Sequence, residues 1–256
     1  MRFATYNVWN ADEGMPQREK YIIDEIINCK ADILCLQEVR DRMRAERIAC
    51  EAGYRYFFFD NYQNENEGLE ILSKIPFNKC ASWLSDTNAV FSSFVYNDSI
   101  LAIVNLHLPW EGSLKRENQI VDIMEHIQME KFDYILLMGD FNCSDKSDVH
   151  RFLTGDCSLK NKEANPCWYD LASAYADLTQ TPVDSTLNFR KNPRFTNNTI
   201  EVNQRFDRIM LRNTYPNEFP ILKQCSTFGQ RIYSDIALSA SDHYGVVVEI
   251  ETSKPK

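Results

Sequence analysis

The sequence lacks the segments that would mark a membrane protein, a secreted protein or a repeat protein. No apolar run approaches the length of about 20 residues that a membrane-spanning helix needs. The first residues, MRFATYNVWN, lack the apolar core and the small-residue cleavage site of a signal peptide. No internal repeat or low-complexity tract interrupts the 256 residues. We therefore expect a cytoplasmic chain without a membrane span, folded as one domain over residues 1–256.

Paired cysteine motifs are also missing. The chain has eight cysteines, and none has a neighbour at the two-residue spacing of a zinc or redox site. No thiolate cluster therefore competes for a metal. In a reducing cytoplasm these thiols are expected to behave as small buried apolar side chains.

Positive charge is in short supply. The chain carries 28 Lys and Arg residues against 37 Asp and Glu residues, a formal net charge of −9. This balance argues against tight non-specific binding to long nucleic acid, where a broad basic surface supplies most of the affinity. Two segments are nevertheless locally basic, residues 40–47 and residues 190–212, and the second has phenylalanines interleaved that suit base stacking. On charge alone we favour the alternative, a solvated face with core aromatics.

Strand and helix patterns follow one another along the chain. Helices are predicted from Pro16 to about Lys30, over residues 41–52, over residues 115–130 and from a start at Asn165 and Pro166. The predicted strands are FATYNVW, DILCLQE, YRYFFF, LEILSKI, NKCASWL, AVFSSFVYN, SILAIVNLHL, YILL, RFDRIML and HYGVVVEIE. The segment NYQNENEG is predicted to be a polar loop, and residues 178–204 mostly loop. Strand-rich halves flanked by helices indicate two packed sheets covered by helices.

Polar side chains stand at the ends of the predicted strands, where sheet proteins place chemistry. They are Asn7, Glu38, Asn105, His107, Asp140, Asn142, Asp207, Asp242 and His243. The carboxylates of Glu38, Asp140 and Asp242 suit Mg²⁺ or Mn²⁺ bound beside a substrate phosphate. The amides of Asn7 and Asn142 add two oxygen donors. The pattern therefore predicts a metal-assisted phosphate site.

Within this set, His243 is the natural general base for an attacking water. Its imidazole needs a carboxylate that fixes the tautomer and stabilises the charged form, and we predict Asp207 in that role. Asp140 and Asn142 are two residues apart at one strand end and point the same way. We expect them to hold the water or the metal from one side.

Six of the motifs together resemble one known family. TYNVW, LQEV, NLHL, GDFN, RFDRI and SDH occur in the order and spacing of the endonuclease/exonuclease/phosphatase superfamily, from Asn7 to His243. The resemblance implies an α/β (α+β) fold, a four-layer αββα sandwich of two packed mixed sheets flanked by helices. It also implies a Mg²⁺-dependent site at one edge of the sheets.

The resemblance implies a role for each matching residue. Asn7, Glu38 and Asp242 resemble the metal-side residues, His107 the contact to phosphate or leaving group, Asp140 and Asn142 the pair that orients the nucleophile, Asp207 the partner of the base, and His243 the base. The segments NQRFDRIMLR, SDHYGVVVEIE and HLPWEGSLKRENQ are most similar to the 5′-tyrosyl-DNA phosphodiesterase branch, whose members remove a tyrosine left on a DNA 5′ phosphate. Two departures concern this branch: its arginine after GDxN is Ser144 here, and its TWDT segment is STLNFR here.

Each of these residues also has a purely structural explanation. Asn7 could bond a turn, Glu38 could be an acid at a helix start, and His107 could be a buried histidine with satisfied hydrogen bonds. SDH could cap the last strand, and Asp207 could pair with an adjacent surface arginine. Taken singly, these explanations are about as good as catalysis. Taken together they are worse, because so many unrelated polar residues would have to follow the order of one family.

Four further residues are candidates for substrate contacts: Arg194, Arg205, Trp110 and Phe141. A nucleic acid or another phosphate ester is the expected partner. The acidic composition keeps a second function open, a phosphatase or phosphodiesterase of small phosphate esters such as inositol phosphates or lipid headgroups. A third possibility, a non-catalytic interaction domain, is disfavoured by the complete set of acids, amides and histidines.

Overall fold

The computed structural model describes residues 1–62, 66–128 and 131–252. In chain order its elements are β1 (Arg2–Asn7), α1 (Gln17–Cys29), β2 (Ile33–Val39), α2 (Arg42–Glu51), β3 (Tyr56–Asn61), β4 (Gly68–Ser73), β5 (Lys79–Ser82), β6 (Ala89–Tyr96), β7 (Ser99–His107), α3 (Ser113–Gln128), β8 (Tyr134–Asp140), α4 (Asp148–Thr154), β9 (Tyr169–Asp170), α5 (Leu171–Thr179), a 3-10 turn (Pro193–Phe195), β10 (Asp207–Asn213), β11 (Ile221–Phe228), β12 (Ile232–Tyr233), β13 (Leu238–Ser239) and β14 (Gly245–Glu251).

Two six-stranded mixed sheets form the centre of the molecule. The first sheet has the order β11-β14-β1-β2-β4-β3, and the second has the order β5-β6-β7-β8-β10-β9. Strands β1 and β2 are parallel in the first sheet, as are β7 and β8 in the second. Strands β12 and β13 pair separately as a short ribbon just before the SDH motif.

Alternation of side chains along the strands explains why the sheets pack in four layers. In β8, Leu136 and Met138 join the core between the sheets, whereas Ile135 and Leu137 join the core under α3 and α4. In the first sheet, Leu34 and its neighbours face α1 and α2 in the same way. Successive strand residues point to opposite faces, so a strand that is apolar throughout must be covered on both sides. The predicted αββα sandwich of two mixed sheets flanked by helices is confirmed.

Two of the predicted helices match closely, and local capping explains one of them. α1 runs from Gln17 to Cys29, as the isoleucine spacing predicts. α2 begins after Asp41, whose side chain accepts a hydrogen bond from the backbone N–H of Arg44. Among the described residues, no helix is both long and apolar enough to cross a bilayer.

The predicted helix start at Asn165 and Pro166 is wrong. α5 begins at Leu171, because the side chain of Asp170 accepts hydrogen bonds from the backbone N–H groups of Ala172 and Ser173. Asp170 itself pairs with β10 as part of the short strand β9.

The helix α4, the edge strand β11 and the two-residue strands β9, β12 and β13 were not predicted from the sequence. α4 has only seven residues, too few to show a helical repeat, and β11 is an edge strand that pairs with β14 alone. The helix predicted over residues 115–130 begins at Ser113, and its last two residues lie outside the described part of the chain. Residues 63–65 of the predicted polar loop also lie outside the described part of the chain.

Candidate active site

The space between the sheets changes from apolar to polar at one end of the sandwich. Asp140 continues the row that Leu136 and Met138 begin in β8. In the neighbouring strands, His107 lies opposite Asp140 in the parallel pairing, and Asp207 lies opposite it in the antiparallel pairing. The polar side chains of three adjacent strands are thus gathered at one sheet edge by strand register alone.

Gly139 allows β7 and β8 to come close enough for this arrangement. A Cβ at position 139 would lie 1.9 Å from the backbone oxygen of Leu106. Any side chain there would push the strand of Asp140 away from the strand of His107. The glycine of the GDFN motif is therefore a steric requirement of the site.

Asp140 is the centre of the site and is almost completely buried, with 1% of its surface exposed. Its Oδ1 accepts a hydrogen bond from the backbone N–H of Asn142 at 2.8 Å, and its Oδ2 accepts one from Asn7 Nδ2 at 3.2 Å. The same Oδ2 lies 3.6 Å from His107 Nε2 and 3.9 Å from His243 Nε2. One carboxylate oxygen thus faces both histidines of the site.

His243 and Asp207 form a buried pair. His243 Nδ1 lies 2.8 Å from Asp207 Oδ2, and Asp207 is fully buried. Burial alone would lower the pKa of His243, but the charges of Asp207 and Asp140 outweigh it and raise this pKa well above its usual value. The bond at Nδ1 leaves Nε2 directed toward the side of Asp140. This is the geometry that a general base held by a carboxylate requires.

Glu38 is held by two donors at an irregular point of β2. The pairing of β2 with β4 shifts register between Leu36 and Val39, and Glu38 has a positive φ of 60°. Its Oε1 accepts a hydrogen bond from Asn7 Nδ2 at 2.8 Å, and its Oε2 accepts one from the backbone N–H of Asn10 at 2.9 Å. The bulge therefore turns a strand residue toward the site.

Two further residues beside the site share this left-handed backbone. Trp9 has a φ of 54° and Asn142 a φ of 48°. Such conformations cost of the order of 1–3 kcal/mol each in a residue that is not glycine. Their concentration beside Asp140 indicates that the surrounding structure holds these backbones in place.

The charge of Glu38 acts on the buried carboxylate of Asp242. Burial raises the pKa of Asp242 to about 6, and the charge of Glu38 adds to the rise, while His243 and Arg18 oppose it. Two hard carboxylates that repel each other next to a third, Asp140, form the donor set that Mg²⁺ or Mn²⁺ prefers. The donor set therefore fits such an ion.

A tighter cluster of possible ligands exists among the described residues. Single ligand atoms of Asp140, Asp207 and His243 all lie within 4.8 Å of one another. Two of these residues are already hydrogen-bonded together through His243 Nδ1. Asp140 is the member of this cluster that also shares the Asn7 amide with Glu38.

Asn7 has a different orientation from that of a metal ligand. Its Oδ1 accepts the backbone N–H of Trp9 at 3.0 Å, and its Nδ2 points at both Glu38 and Asp140. Because a backbone N–H can only donate, this bond fixes which amide atom faces the carboxylates. Asn7 therefore orients two carboxylates, which differs from the metal-side role implied by the resemblance.

His107 has a partner that the sequence did not indicate. Its Nδ1 lies 3.0 Å from the hydroxyl of Tyr62, and its Nε2 faces Asp140 and, at 4.0 Å, Glu38 Oε1. Tyr62 comes from the end of β3, in the segment predicted only as polar loop. A single tyrosine there carries no motif signal.

A buried amide network that the sequence did not indicate forms the floor of the site. Gln37 Nε2 donates to Asn105 Oδ1 at 2.7 Å and to Thr5 Oγ1 at 3.1 Å. Asn105 Nδ2 donates to the backbone oxygens of Leu36 and Glu70, in the opposite sheet. The network ties the two sheets together directly under the catalytic candidates. Asn105 was picked out from the sequence, but without a role.

Both the backbone and the side chain of Asn142 are hydrogen-bonded. Its backbone N–H donates to Asp140, and its Nδ2 donates to the backbone oxygen of Leu108 at 2.9 Å. The side chain of Asn142 therefore lies beside Leu108, the residue that follows His107.

The four predicted substrate contacts differ in their exposure. Trp110 is 78% exposed, and Arg194 lies over the ring of Trp9 at 5.1 Å with a half-exposed side chain. Phe141, by contrast, is 1% exposed and packs in the core under α3. Its ring cannot meet a substrate without unfolding of that layer, so the structure does not support this prediction.

Arg205 is likewise removed from the surface. Its Nη1 binds Asp170 Oδ2 at 2.7 Å; Asp170 is buried, and the side chain of Arg205 is 10% exposed. The arginine completes the N-cap region of α5, so the structure gives it a structural role in place of the predicted substrate contact.

Other arginines in residues 40–47 and 190–212 also have partners within the chain. Arg47 binds Glu19 at 2.9 Å, Arg40 binds Asp12, and Arg190 donates to the backbone oxygens of Asn198 and Glu201. These contacts match the alternative that charge alone favoured, a solvated face with core aromatics.

Comparisons with known proteins identify the family and the fold. A family model described as Endonuclease/Exonuclease/phosphatase family matches residues 4–243. No curated protein matches the chain significantly. Among solved structures, D. rerio TDP2 complexed with single strand DNA product superposes with a TM-score of 0.77 at 17% identity, covering 98% of this chain and 99% of the other.

Two further solved structures show the same fold. SeMet TDP2 from Caenorhabditis elegans has a TM-score of 0.74 at 19% identity, covering 98% of this chain and 74% of the other. The endonuclease/exonuclease/phosphatase from Bacteroides vulgatus has a TM-score of 0.73 at 17% identity, covering 98% of each chain.

Proposed function

The chain belongs to the endonuclease/exonuclease/phosphatase family, whose members are hydrolases of phosphate esters, and from this premise we propose a more specific activity. The proposed enzyme cleaves phosphodiester bonds in DNA or at a nucleic-acid end with the help of a divalent cation. The observation that carries the proposal is the buried His243–Asp207 pair, whose free Nε2 lies 3.9 Å from Asp140 Oδ2.

His243 would act as the general base. Asp207 holds Nδ1, so Nε2 is the nitrogen that takes a proton from a water attacking phosphorus. Asp140 and Asn142 would orient that water, and His107 would contact a phosphate oxygen or the leaving group. The roles of these five residues rest on their geometry and on the family resemblance.

The cation would be held by Glu38, Asp140 and Asp242, with Asn7 fixing the orientation of two of these carboxylates. When bound, Mg²⁺ or Mn²⁺ polarises phosphate oxygens and stabilises the charge on the leaving oxygen.

The substrate class is proposed from the similar structures and from two exposed side chains. D. rerio TDP2 was solved with a single strand DNA product. In this chain, Trp110 presents an exposed aromatic ring three residues after His107, and Arg194 presents a half-exposed guanidinium. An exposed aromatic ring can stack on a base and a guanidinium can pair with a phosphate, so each side chain suits one part of a nucleotide.

A second candidate is a phosphatase or phosphodiesterase of small phosphate esters. Ion pairs within the chain favour it, because Arg47 and Arg205 are already paired with Glu19 and Asp170, which leaves less positive charge for a nucleic-acid backbone. A small substrate needs only the charges of the site itself.

The test uses two oligonucleotides of the same sequence, one with a 5′-phosphotyrosyl end and one plain, each with Mg²⁺ and with or without chelator. Chelator-sensitive release of tyrosine from an intact oligonucleotide supports end processing. Degradation of both indicates a general nuclease, and inertness on both refutes the nucleic-acid proposal. In the last case, inositol phosphates are the next substrates to compare.

Two histidine variants separate the site from the rest of the chain. His243→Gln should lose about 10²-fold or more in kcat. The matched control is His126→Gln, because His126 pairs with Asp86 at the surface and should retain full activity.

A further inference from the structure

Arg18 is a buried arginine whose hydrogen bonds all go to backbone oxygens. Its side chain is fully buried, on the first turn of α1. The acceptors are Glu13 at 2.8 Å, Val8 at 3.2 Å, Ala240 at 3.1 Å, Trp9 at 2.9 Å and Ala11 at 2.6 Å. Burying a charge without a carboxylate in hydrogen-bonding contact is costly, so stability alone does not account for this residue.

The acceptors belong to two separate segments that carry the site. Residues 8–11 follow Asn7 and contain the left-handed Trp9, over whose ring the Arg18 guanidinium lies at 4.3 Å. In the same segment, the backbone N–H of Asn10 holds Glu38. Ala240 immediately precedes the SDH motif. One guanidinium therefore joins the support of Glu38 to the support of Asp242.

Asn192 binds the second segment, next to the carbonyl that Arg18 binds. It is 2% exposed, and its Nδ2 donates to the backbone oxygens of Ser241 at 2.9 Å and Asp242 at 3.1 Å. The hydroxyl of Ser241 in turn donates to the backbone oxygen of Asn7 at 2.7 Å. The side chains of Arg18 and Asn192 thus bind the three consecutive carbonyls of residues 240–242.

We propose that Arg18 and Asn192 are positioning residues that hold Glu38 and Asp242 at the spacing a divalent cation requires. The inference rests on the proposed cation-dependent function. Neither residue ligates the cation. Residues behind the ligands commonly change metal affinity by about 10- to 100-fold when they are replaced.

Lysine cannot replace Arg18 in this role. A lysine ammonium has three donors at a single point, whereas the guanidinium fork reaches five oxygens of two segments. Arg18→Lys therefore keeps the charge and removes the bridge. Asn192→Ser keeps an oxygen that can cap the 3-10 turn at Arg194, but its single hydroxyl, on a shorter side chain, cannot donate to both carbonyls.

The experiment measures binding of Mn²⁺ to the full chain without substrate, by electron paramagnetic resonance and calorimetry. The four proteins are the wild type, Arg18→Lys, Asn192→Ser and the control Arg212→Lys. Arg212 also lies over a tryptophan ring, that of Trp168 at 5.0 Å, but five residues along β10 from Asp207. We expect the Kd for Mn²⁺ to rise about tenfold or more in the first two variants and to stay within twofold in the control.

Denaturation by urea, measured on each protein, shows that binding is compared between folded chains. If Arg18→Lys does not fold, Asn192→Ser carries the test. Kd values within twofold of the wild type in the folded variants overturn the inference, as does an equal rise in Arg212→Lys. If the wild type binds no Mn²⁺, the proposed function fails along with the inference, whereas tight wild-type binding with unaffected variants refutes the inference alone.

Discussion

Glu70 makes the stability of the protein depend on pH in a way that one substitution should reveal. The side chain is fully buried in β4, on the same face as Leu72, and within the described residues neither carboxylate oxygen has a hydrogen-bond partner. Burial raises the pKa of Glu70 well above its usual value of 4.5. In the folded chain the carboxyl group is therefore protonated at a pH where the unfolded chain has already released the proton.

The magnitude follows from proton linkage. Between pH 4.5 and the folded pKa, the native state binds one more proton than the unfolded state, so the free energy of unfolding falls as pH rises. The slope for this one group is about 1.4 kcal/mol per pH unit. Below the unfolded pKa both states are protonated, and Glu70 no longer lowers the free energy of unfolding.

Glu70→Gln keeps the shape and removes the titration. Urea denaturation of both proteins at several pH values from 4 to 8 gives the difference in their free energies of unfolding. The other titrating groups are common to both proteins and cancel in this difference. We expect the free energy of unfolding of the variant, relative to that of the wild type, to rise by about 1.4 kcal/mol per pH unit above 4.5, up to the folded pKa. Parallel curves would show that Glu70 ionises in the folded protein and refute the reasoning.

Three other changes test the site. Asp207→Asn should lower kcat by about 10²-fold or more with little change in KM, because the amide cannot stabilise a protonated imidazole; unchanged kcat at neutral pH would remove Asp207 from its role. Gly139→Ala should lower the free energy of unfolding, measured by urea denaturation, by about 1–3 kcal/mol or more, since its Cβ would meet a backbone oxygen at 1.9 Å. Gly112→Ala, with open space around it, should be neutral; equal effects would contradict the packing argument. Arg194→Ala should raise KM for DNA and flatten its salt dependence, while Arg205→Ala should mainly destabilise the fold; the reverse result would restore Arg205 as a substrate contact.

Strand ends and their polar residues could be predicted because they repeat a strong local signal. The run YILLMGD is apolar on both faces until Asp140, and the same change from apolar to polar occurs at His107. Because period-two alternation fixes the face of each residue, the sheet layers followed from the same pattern.

Residues whose role depends on distant parts of the chain could not be predicted. Arg18 looks like an ordinary helix-surface residue, and only the folded chain brings Ala240 to it, 222 positions away. The burial of Phe141 and of most of the Arg205 side chain could not be predicted for a related reason, since a residue beside a motif can face either the site or the core. Sequence proximity does not distinguish these two directions.

The separation of chemistry from recognition has a consequence for how this fold can diversify. Strand register in the second sheet anchors His107, Asp140 and Asp207, whereas the proposed substrate contacts Trp110 and Arg194 lie outside the strands. Insertions or replacements in the connections that carry them would alter the leaving group or the polymer that is accepted and leave the water-activating machinery in register. A new specificity could thus be grafted onto this scaffold one connection at a time, with the bond-breaking step inherited unchanged.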